Sequence, residues 1–198
     1  MRSRKLIGAA DAESAVLRFL EPSAQQWNER MVIHSCALSP NGDFWIVRAN
    51  TAGYVLHGRL EAALVGVNAY LVDVKTGSID IVGSGQSLEN YLQDIYDLRT
   101  AGSYCYVLGP SFDWTDKQAV INLRRQLDCS LVHAKHLLGD RRKWLTGKRR
   151  VLELAAQLLE KRGIASVIAL EDDAGAATLI DEHVWHWDAL KQVLQQEQ

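Results

Sequence analysis

Along the chain the apolar residues switch repeatedly between a spacing of three to four and a spacing of two, the marks of helices and strands. Residues 11–21 predict a helix. Asp11 is placed to cap it, Ala15, Leu17, Phe19 and Leu20 give it an apolar surface, and Pro22 is placed to stop it. Polar residues 23–30 read as a loop. Residues 31–38 take on the β-branched character of a strand. Ser39-Pro40-Asn41-Gly42-Asp43 then reads as a turn, because proline presets φ and Asn-Gly tolerates positive φ. Phe44-Trp45-Ile46-Val47 resumes the strand and completes the clearest hairpin. Two short apolar segments continue the run of strands, around Tyr54-Val55-Leu56 and at 62–65. Residues 69–73 and 78–82 form a second hairpin about Lys75-Thr76-Gly77, and Ser87 caps a helix running to about 98.

Gly102 opens a second module. Residues 104–108 read as a strand. Thr115-Asp116-Lys117-Gln118 reads as a capping box, followed by the buried stripe Val120, Leu123 and Leu127. Ser130 caps a helix over 131–138, which Gly139 closes in the left-handed conformation. After a polar, basic loop, Val151, Leu154, Ala155, Leu158 and Leu159 mark a third helix, closed by Gly163. Residues 164–170 give a strand, and a short helix follows near 187–194. The expected class is α+β. An antiparallel sheet with flanking helices occupies residues 1–100, a strand–three-helix–strand module occupies 103–170, and an acidic tail occupies 171–198.

Composition narrows the class little. Of 198 residues, 47% are hydrophobic and 23% charged, ordinary values for a folded chain. No apolar run reaches the roughly 18 residues of a membrane helix. The basic start Met1-Arg2-Ser3-Arg4-Lys5 is followed by an apolar run that Asp11 breaks too soon for a signal peptide, so a cytoplasmic location is expected, with no membrane partner. The three cysteines, Cys36, Cys105 and Cys129, are widely spaced and sit among apolar neighbours, which fits core residues rather than a disulfide framework. Charge distribution says more than the net charge of −2. From Lys117 to Arg162 there are twelve Lys and Arg against four acids, and from Glu171 onward seven acids against Lys191 alone. The tail either folds back on the basic segment or meets a partner of its own.

Two resemblances add to this reading. The first module carries Phe44-Trp45-Ile46-Val47, then Gly66-Val67-Asn68-Ala69-Tyr70-Leu71-Val72-Asp73, Lys75-Thr76-Gly77 and Ser87-Leu88-Glu89-Asn90-Tyr91. Over about residues 11–98 it resembles the immunity protein 35 (YrhB-like) family. The family's hairpin has a proline that Gly66-Val67-Asn68-Ala69 lacks, and this chain has an extra spacing there. The second module carries Val120-Ile121-Asn122-Leu123-Arg124, Ser130-Leu131-Val132-His133-Ala134-Lys135-His136-Leu137-Leu138, Leu158-Leu159-Glu160-Lys161-Arg162-Gly163 and Val167-Ile168-Ala169-Leu170. Over about 103–170 it looks like the C-terminal domain of the bacterial ribosomal stalk protein, a surface that recruits translation factors in that family. The family's long ribosome-docking helices and flexible hinge are missing here.

Sites for chemistry are sparse. Thr146-Gly147-Lys148 mimics the end of a phosphate-binding loop, but Arg142 and Arg149 stand where that loop needs Gly and Ser or Thr. Gly83-Ser84-Gly85 is too short for a dinucleotide fingerprint and reads as a loop. His133 with His136, and His183 with His186, are pairs on one helical face. The second, with Asp181 and Glu182, is the better metal candidate, although no further ligand frame accompanies either pair and no metal or cofactor is expected. No local signature of a nucleophile is present, so no enzymatic activity is expected.

The functional expectation is an immunity protein that binds a cognate toxin domain and occludes it stoichiometrically. Its candidate contacts are Arg141, Arg142, Lys143, Trp144, Trp185 and Trp187, aromatic and arginine anchors of the type that dominate interfaces. The alternative is a translation-associated or nucleic-acid-binding regulator, with Trp144 stacking on a base and Arg141, Arg142, Lys143, Lys148, Arg149 and Arg150 on phosphates.

Overall fold

A computed structural model describes residues 6–139 and 142–196. The protein is of the α+β class. Two compact units divide it, Met1–Leu92 and Gln93–Gln198. Among the described residues no helix is long and apolar enough to cross a membrane.

The first unit is a four-stranded antiparallel meander, β1 (Met31–Leu38), β2 (Phe44–Thr51), β3 (Val67–Asp73) and β4 (Ile79–Gly83), in that spatial order. Helix α1 (Ala9–Trp27) lies on one face. Its Ala12, Val16 and Leu20 recur every fourth residue and pack with Met31, Val47, Tyr70 and Val72. The opposite face carries Phe44, Ile46, Leu71 and Val82, which are buried as well. A register shift between Ile33 and Ser35 inserts His34 as a bulge, and so keeps Met31, Ile33 and Cys36 on the α1 face. The hairpin turn is fastened by Ser39, whose hydroxyl accepts the Asp43 and Phe44 N–H groups and donates to the Asp43 carboxylate.

Three local expectations are corrected here. Gly8, not Asp11, is the N-cap of α1; the Asp11 carboxylate instead accepts the Gly8 N–H at 3.4 Å. Pro22 does not stop that helix, and residues up to Trp27 are helical rather than a loop. The proline withholds one N–H from the ladder, but the continued turn keeps Ala24 against the core, and Asn28 ends the helix at φ 50°. Tyr54-Val55-Leu56 belongs to a helix, α2 (Ala52–His57), not to a strand. Thr51 Oγ1 accepts the Tyr54 N–H at 3.1 Å to start it, and Gly58, at φ 66°, ends it. After a 3-10 turn at Leu60–Ala62, residue 64 is held by the Asn50 side-chain amide. That amide accepts the Leu64 N–H and donates to the Leu64 carbonyl, doing for one residue what a neighbouring strand would do.

The division between units falls inside α3 (Leu88–Ala101), after Leu92. The second unit continues through β5 (Cys105–Pro110), α4 (Lys117–Leu127), α5 (Leu131–Leu138), β6 (Leu145–Gly147), α6 (Arg149–Glu160), β7 (Ser166–Glu171), β8 (Thr178–Ile180) and α7 (Trp187–Gln195). Its sheet has the order β7-β5-β6-β8, with β6 and β8 parallel and the other pairs antiparallel. The basic loop thus contains a strand, too short to show alternation in the sequence. The acidic tail is part of the fold: β8 completes the sheet, and Leu190 and Leu194 of α7 are fully buried in the core with Leu123, Leu127 and Leu137. The cap of α4 is Asp116, whose carboxylate accepts the Ala119 N–H at 3.0 Å, while Thr115 bonds to Asp113. Gly139 closes α5 at φ −103°, not in the left-handed region.

Gly147 has φ +151°, and a Cβ there would lie 2.6 Å from the Ile180 carbonyl oxygen. Only glycine lets β8 sit this close to β6. Gly147→Ala is expected to destabilise the second unit by about 1–3 kcal/mol, through backbone strain and displacement of β8. Urea unfolding monitored by near-ultraviolet circular dichroism measures it; a midpoint equal to the wild type would refute this account of the residue.

Candidate functional site: the basic segment and the acidic tail

Helix α6 begins with three cations. Lys148 is its N-cap, Arg149 and Arg150 are its first two residues, and no side chain caps it. The helix dipole already makes that end positive, so the arrangement is unfavourable unless anions approach. They come from distant parts of the sequence. Asp94 of α3 takes Lys148 at 3.0 Å and Arg150 at 2.8 Å, and Glu182, between β8 and α7, takes the same two cations. Arg149 pairs with Glu153 at 2.9 Å and stands 3.7 Å from Asp97, its guanidinium 5.9 Å from the centre of the Tyr106 ring. Hydrogen bonds to Asp94, then to Glu182, hold the Lys148 and Arg150 side chains above their ordinary pKa values. A backbone N–H, then Arg150 and Lys148, hold Glu182 below its own.

The expected contacts are not brought together. Arg141 lies outside the described residues. Arg142 is exposed and donates to the Phe112 carbonyl at 3.2 Å. Lys143 pairs with Glu171 at 3.2 Å and donates to the Asp173 carbonyl at 2.8 Å, and the bond to Glu171 raises its pKa. Trp144 is a correction. It is 0% exposed at the centre of the core, and its indole N–H is spent on the Leu137 carbonyl at 2.8 Å. Buried there, it offers no surface to a base or a partner. Trp187 is half-buried against the same core, with the Arg162 guanidinium 4.9 Å from its ring centre. Trp185 is 67% exposed and touches the His186 ring edge-on at 4.8 Å.

The other motifs resolve into structure. Thr146-Gly147-Lys148 is a strand leading into a helix cap, and the Thr146 hydroxyl donates to the Tyr106 carbonyl. Ser84 N–H bonds to the Gly66 carbonyl in a turn after β4. His133 is buried, with Nε2 3.0 Å from the Leu194 carbonyl oxygen. His186 Nδ1 accepts the Ala189 N–H and caps α7, while His183 bonds to Asp181 at 2.8 Å. Among the described residues no group of three His, Cys, Asp or Glu side chains could hold a metal ion. The cysteines are half-buried and free, and burial pushes the Cys36 and Cys129 thiols up.

The sequence reading overlooked Asp94 and Asp97, which sit one turn apart on α3. It also overlooked Trp114, which is 63% exposed before α4 and lies two residues beyond the carbonyl that Arg142 holds. An aromatic next to the helix start at Thr115-Asp116 was the available signal.

Two outcomes follow. Trp144→Ala is expected to cost about 3–5 kcal/mol of stability, whereas Trp185→Ala changes it by less than about 0.5 kcal/mol. Chemical denaturation of both variants checks the pair. Glu182 has a lowered pKa in the folded protein, so its contribution is present above the usual carboxylate range and is lost as pH falls through the folded value. Half-exposed as it is, that contribution is at most about 1 kcal/mol. Glu182→Gln should therefore lower the melting temperature at neutral pH and leave it unchanged in strong acid. In comparison with known proteins, no family model, no curated protein and no solved structure matches the chain.

Proposed function

We propose that the protein is an immunity protein: it binds a cognate bacterial toxin domain in the cytoplasm and blocks it by stoichiometric occlusion, with no chemistry of its own. The resemblance of residues 11–98 to the immunity protein 35 family suggests the class, and one structural observation supports a protein partner. Lys143, Lys148, Arg149 and Arg150 are paired with carboxylates within the chain, while Trp185 stands 67% exposed between a strand and a helix that are both anchored in the core. A tryptophan held on a fixed backbone, beside exposed Asp181 and Glu182, is the kind of anchor that buries much area at little entropic cost. The same pairing weakens the nucleic-acid reading, since Lys148, Arg149 and Arg150 would have to leave Asp94, Glu153 and Glu182 to meet phosphates.

The structure also changes the expected chemistry of the partner. A basic inhibitory loop would suit a toxin with an acidic cleft. The exposed group is instead an indole, because the neighbouring Asp181 and Glu182 carboxylates are paired with His183, Lys148 and Arg150, and an indole suits a toxin surface with an apolar pocket.

Co-expression with the toxin encoded beside it is the test. Wild-type protein should restore growth and form a one-to-one complex on mixing. Trp185→Ala should weaken that complex by about 2 kcal/mol or more, roughly thirtyfold in Kd, without loss of folded protein. Absence of both protection and complex would end the proposal; full affinity in Trp185→Ala would remove this residue from it.

A further inference from the structure

Strand β7 lies at the edge of the second sheet and, among the described residues, pairs only with β5. The phase of that pairing is fixed. Ser111 N–H donates to the Ala165 carbonyl at 3.2 Å, and the register runs without a shift from Pro110↔Ser166 to Cys105↔Glu171. Because alternate residues of an antiparallel strand bond across the ladder, Val167 and Ala169 turn their backbone groups toward β5. Trp144 N–H on the Leu108 carbonyl agrees, since it places the even-numbered residues of β5 on the β6 side. Ser166, Ile168 and Leu170 therefore turn their N–H and C=O groups outward, and these take no backbone partner among the described residues.

The edges of folded sheets are normally blunted by a bulge, a proline, a charge or brevity. The other edges here are: β1 has its register shift, β4 carries Asp80, and β8 is three residues long. Strand β7 has six residues, Ser-Val-Ile-Ala-Leu-Glu, with no proline and no register shift. Its only charge, Glu171, is paired with Lys143. Val167 and Leu170 are exposed on opposite faces.

Two hollows lie between this strand and α6. One, of about 470 Å³, is lined by Ala156, Gly163, Ile164 and Ala165; the other, of about 300 Å³, is lined by Tyr106, Ile168 and Leu170. Four strand residues, about 13 Å, separate the positions that line them, so an added strand could place side chains i and i+4 of one face in the two cavities. Charge selects the occupant. Arg149 and Glu153 both line one cavity and are paired with each other, so it carries no net charge of its own. Glu160 lines the other, is exposed, and has no ion-pair partner among the described residues.

We propose that β7 and the two hollows between it and α6 form a strand-addition site for an extended segment of a partner protein with alternating apolar and basic residues. Backbone hydrogen bonds to Ser166, Ile168 and Leu170 would hold the segment, apolar side chains would enter the two cavities, and a Lys or Arg would meet Glu160. The site is separate from Trp185 and does not depend on the immunity reading.

The test uses the full chain and a fluorescein-labelled synthetic peptide alternating valine and lysine, followed by fluorescence anisotropy. Saturable binding is expected. Methylating alternate peptide nitrogens on the edge that faces β7, or replacing every lysine by glutamate, should weaken it by about tenfold or more. Leu170→Pro removes an N–H that points away from β5, so the internal ladder survives; it too should weaken binding about tenfold. Thermal melting checks that this variant is folded, and the methylated peptide gives the same answer without any variant. Absent binding, or equal binding of the methylated or glutamate peptide, overturns the proposal. So does a self-association abolished by Leu170→Pro, which would make the occupant a second copy of the chain.

Discussion

Trp144 makes three hydrogen bonds to three different elements. Its backbone N–H bonds to Leu108 of β5, its backbone carbonyl accepts from Thr178 of β8, and its indole N–H bonds to Leu137 of α5. The ring is fully buried in the same core cluster as leucines of α4, α5, α6 and α7. An indole in an apolar core must find an acceptor for its N–H or lose the free energy of desolvating it. Once that acceptor is the last turn of α5, the chain leaving Trp144 can only run as β6 between β5 and β8. The position of residues 142–150 follows from that strand.

The electrostatics follow from that placement. With β6 fixed, α6 must start at Lys148, and three positive charges arrive at the positive end of a helix dipole. Asp94 and Glu182 supply from α3 and from the tail the anions that the sequence of α6 does not. The acidic tail is thus tied to the unit in two ways, by Leu190 and Leu194 in the core and by Glu182 and Glu171 at the surface. Partly exposed pairs of this kind contribute little to stability individually, but they settle which charges remain for a partner.

Much of the fold was legible in the sequence where the determining interaction is local. The Ser39–Asp43 turn, the Ser130 cap and the Leu123–Leu127 stripe each depend on residues a few positions apart, and β1, α5 and β2's start fall where the pattern places them. The misses have a common cause. Helix α2 depends on a cap from Thr51 inside what reads as a strand, α1 survives Pro22 because Ala24 packs on a distant sheet, and β6 is too short to alternate. The candidate site was less legible for the same reason. Lys143, Lys148 and Arg150 read as part of an open patch because their partners stand at 94, 171 and 182. Trp144 read as a surface aromatic because its neighbours in sequence are basic, although Leu145 beside it belongs to the core.

The two sheets differ in how far along the chain their strands must search for one another. Strands β1 and β2, and β3 and β4, are joined by tight turns, whereas β5 meets β7 only after α4, α5, β6 and α6 have intervened, and β6 meets β8 only after α6 and β7. Closing long loops before any contact rewards them slows folding. On these grounds the second sheet is expected to be the slower of the two to close. During that interval β7 has neither β5 beside it nor α6 above it. The apolar run Val167-Ile168-Ala169-Leu170 is then guarded by Glu171 alone and is open to pairing with other chains.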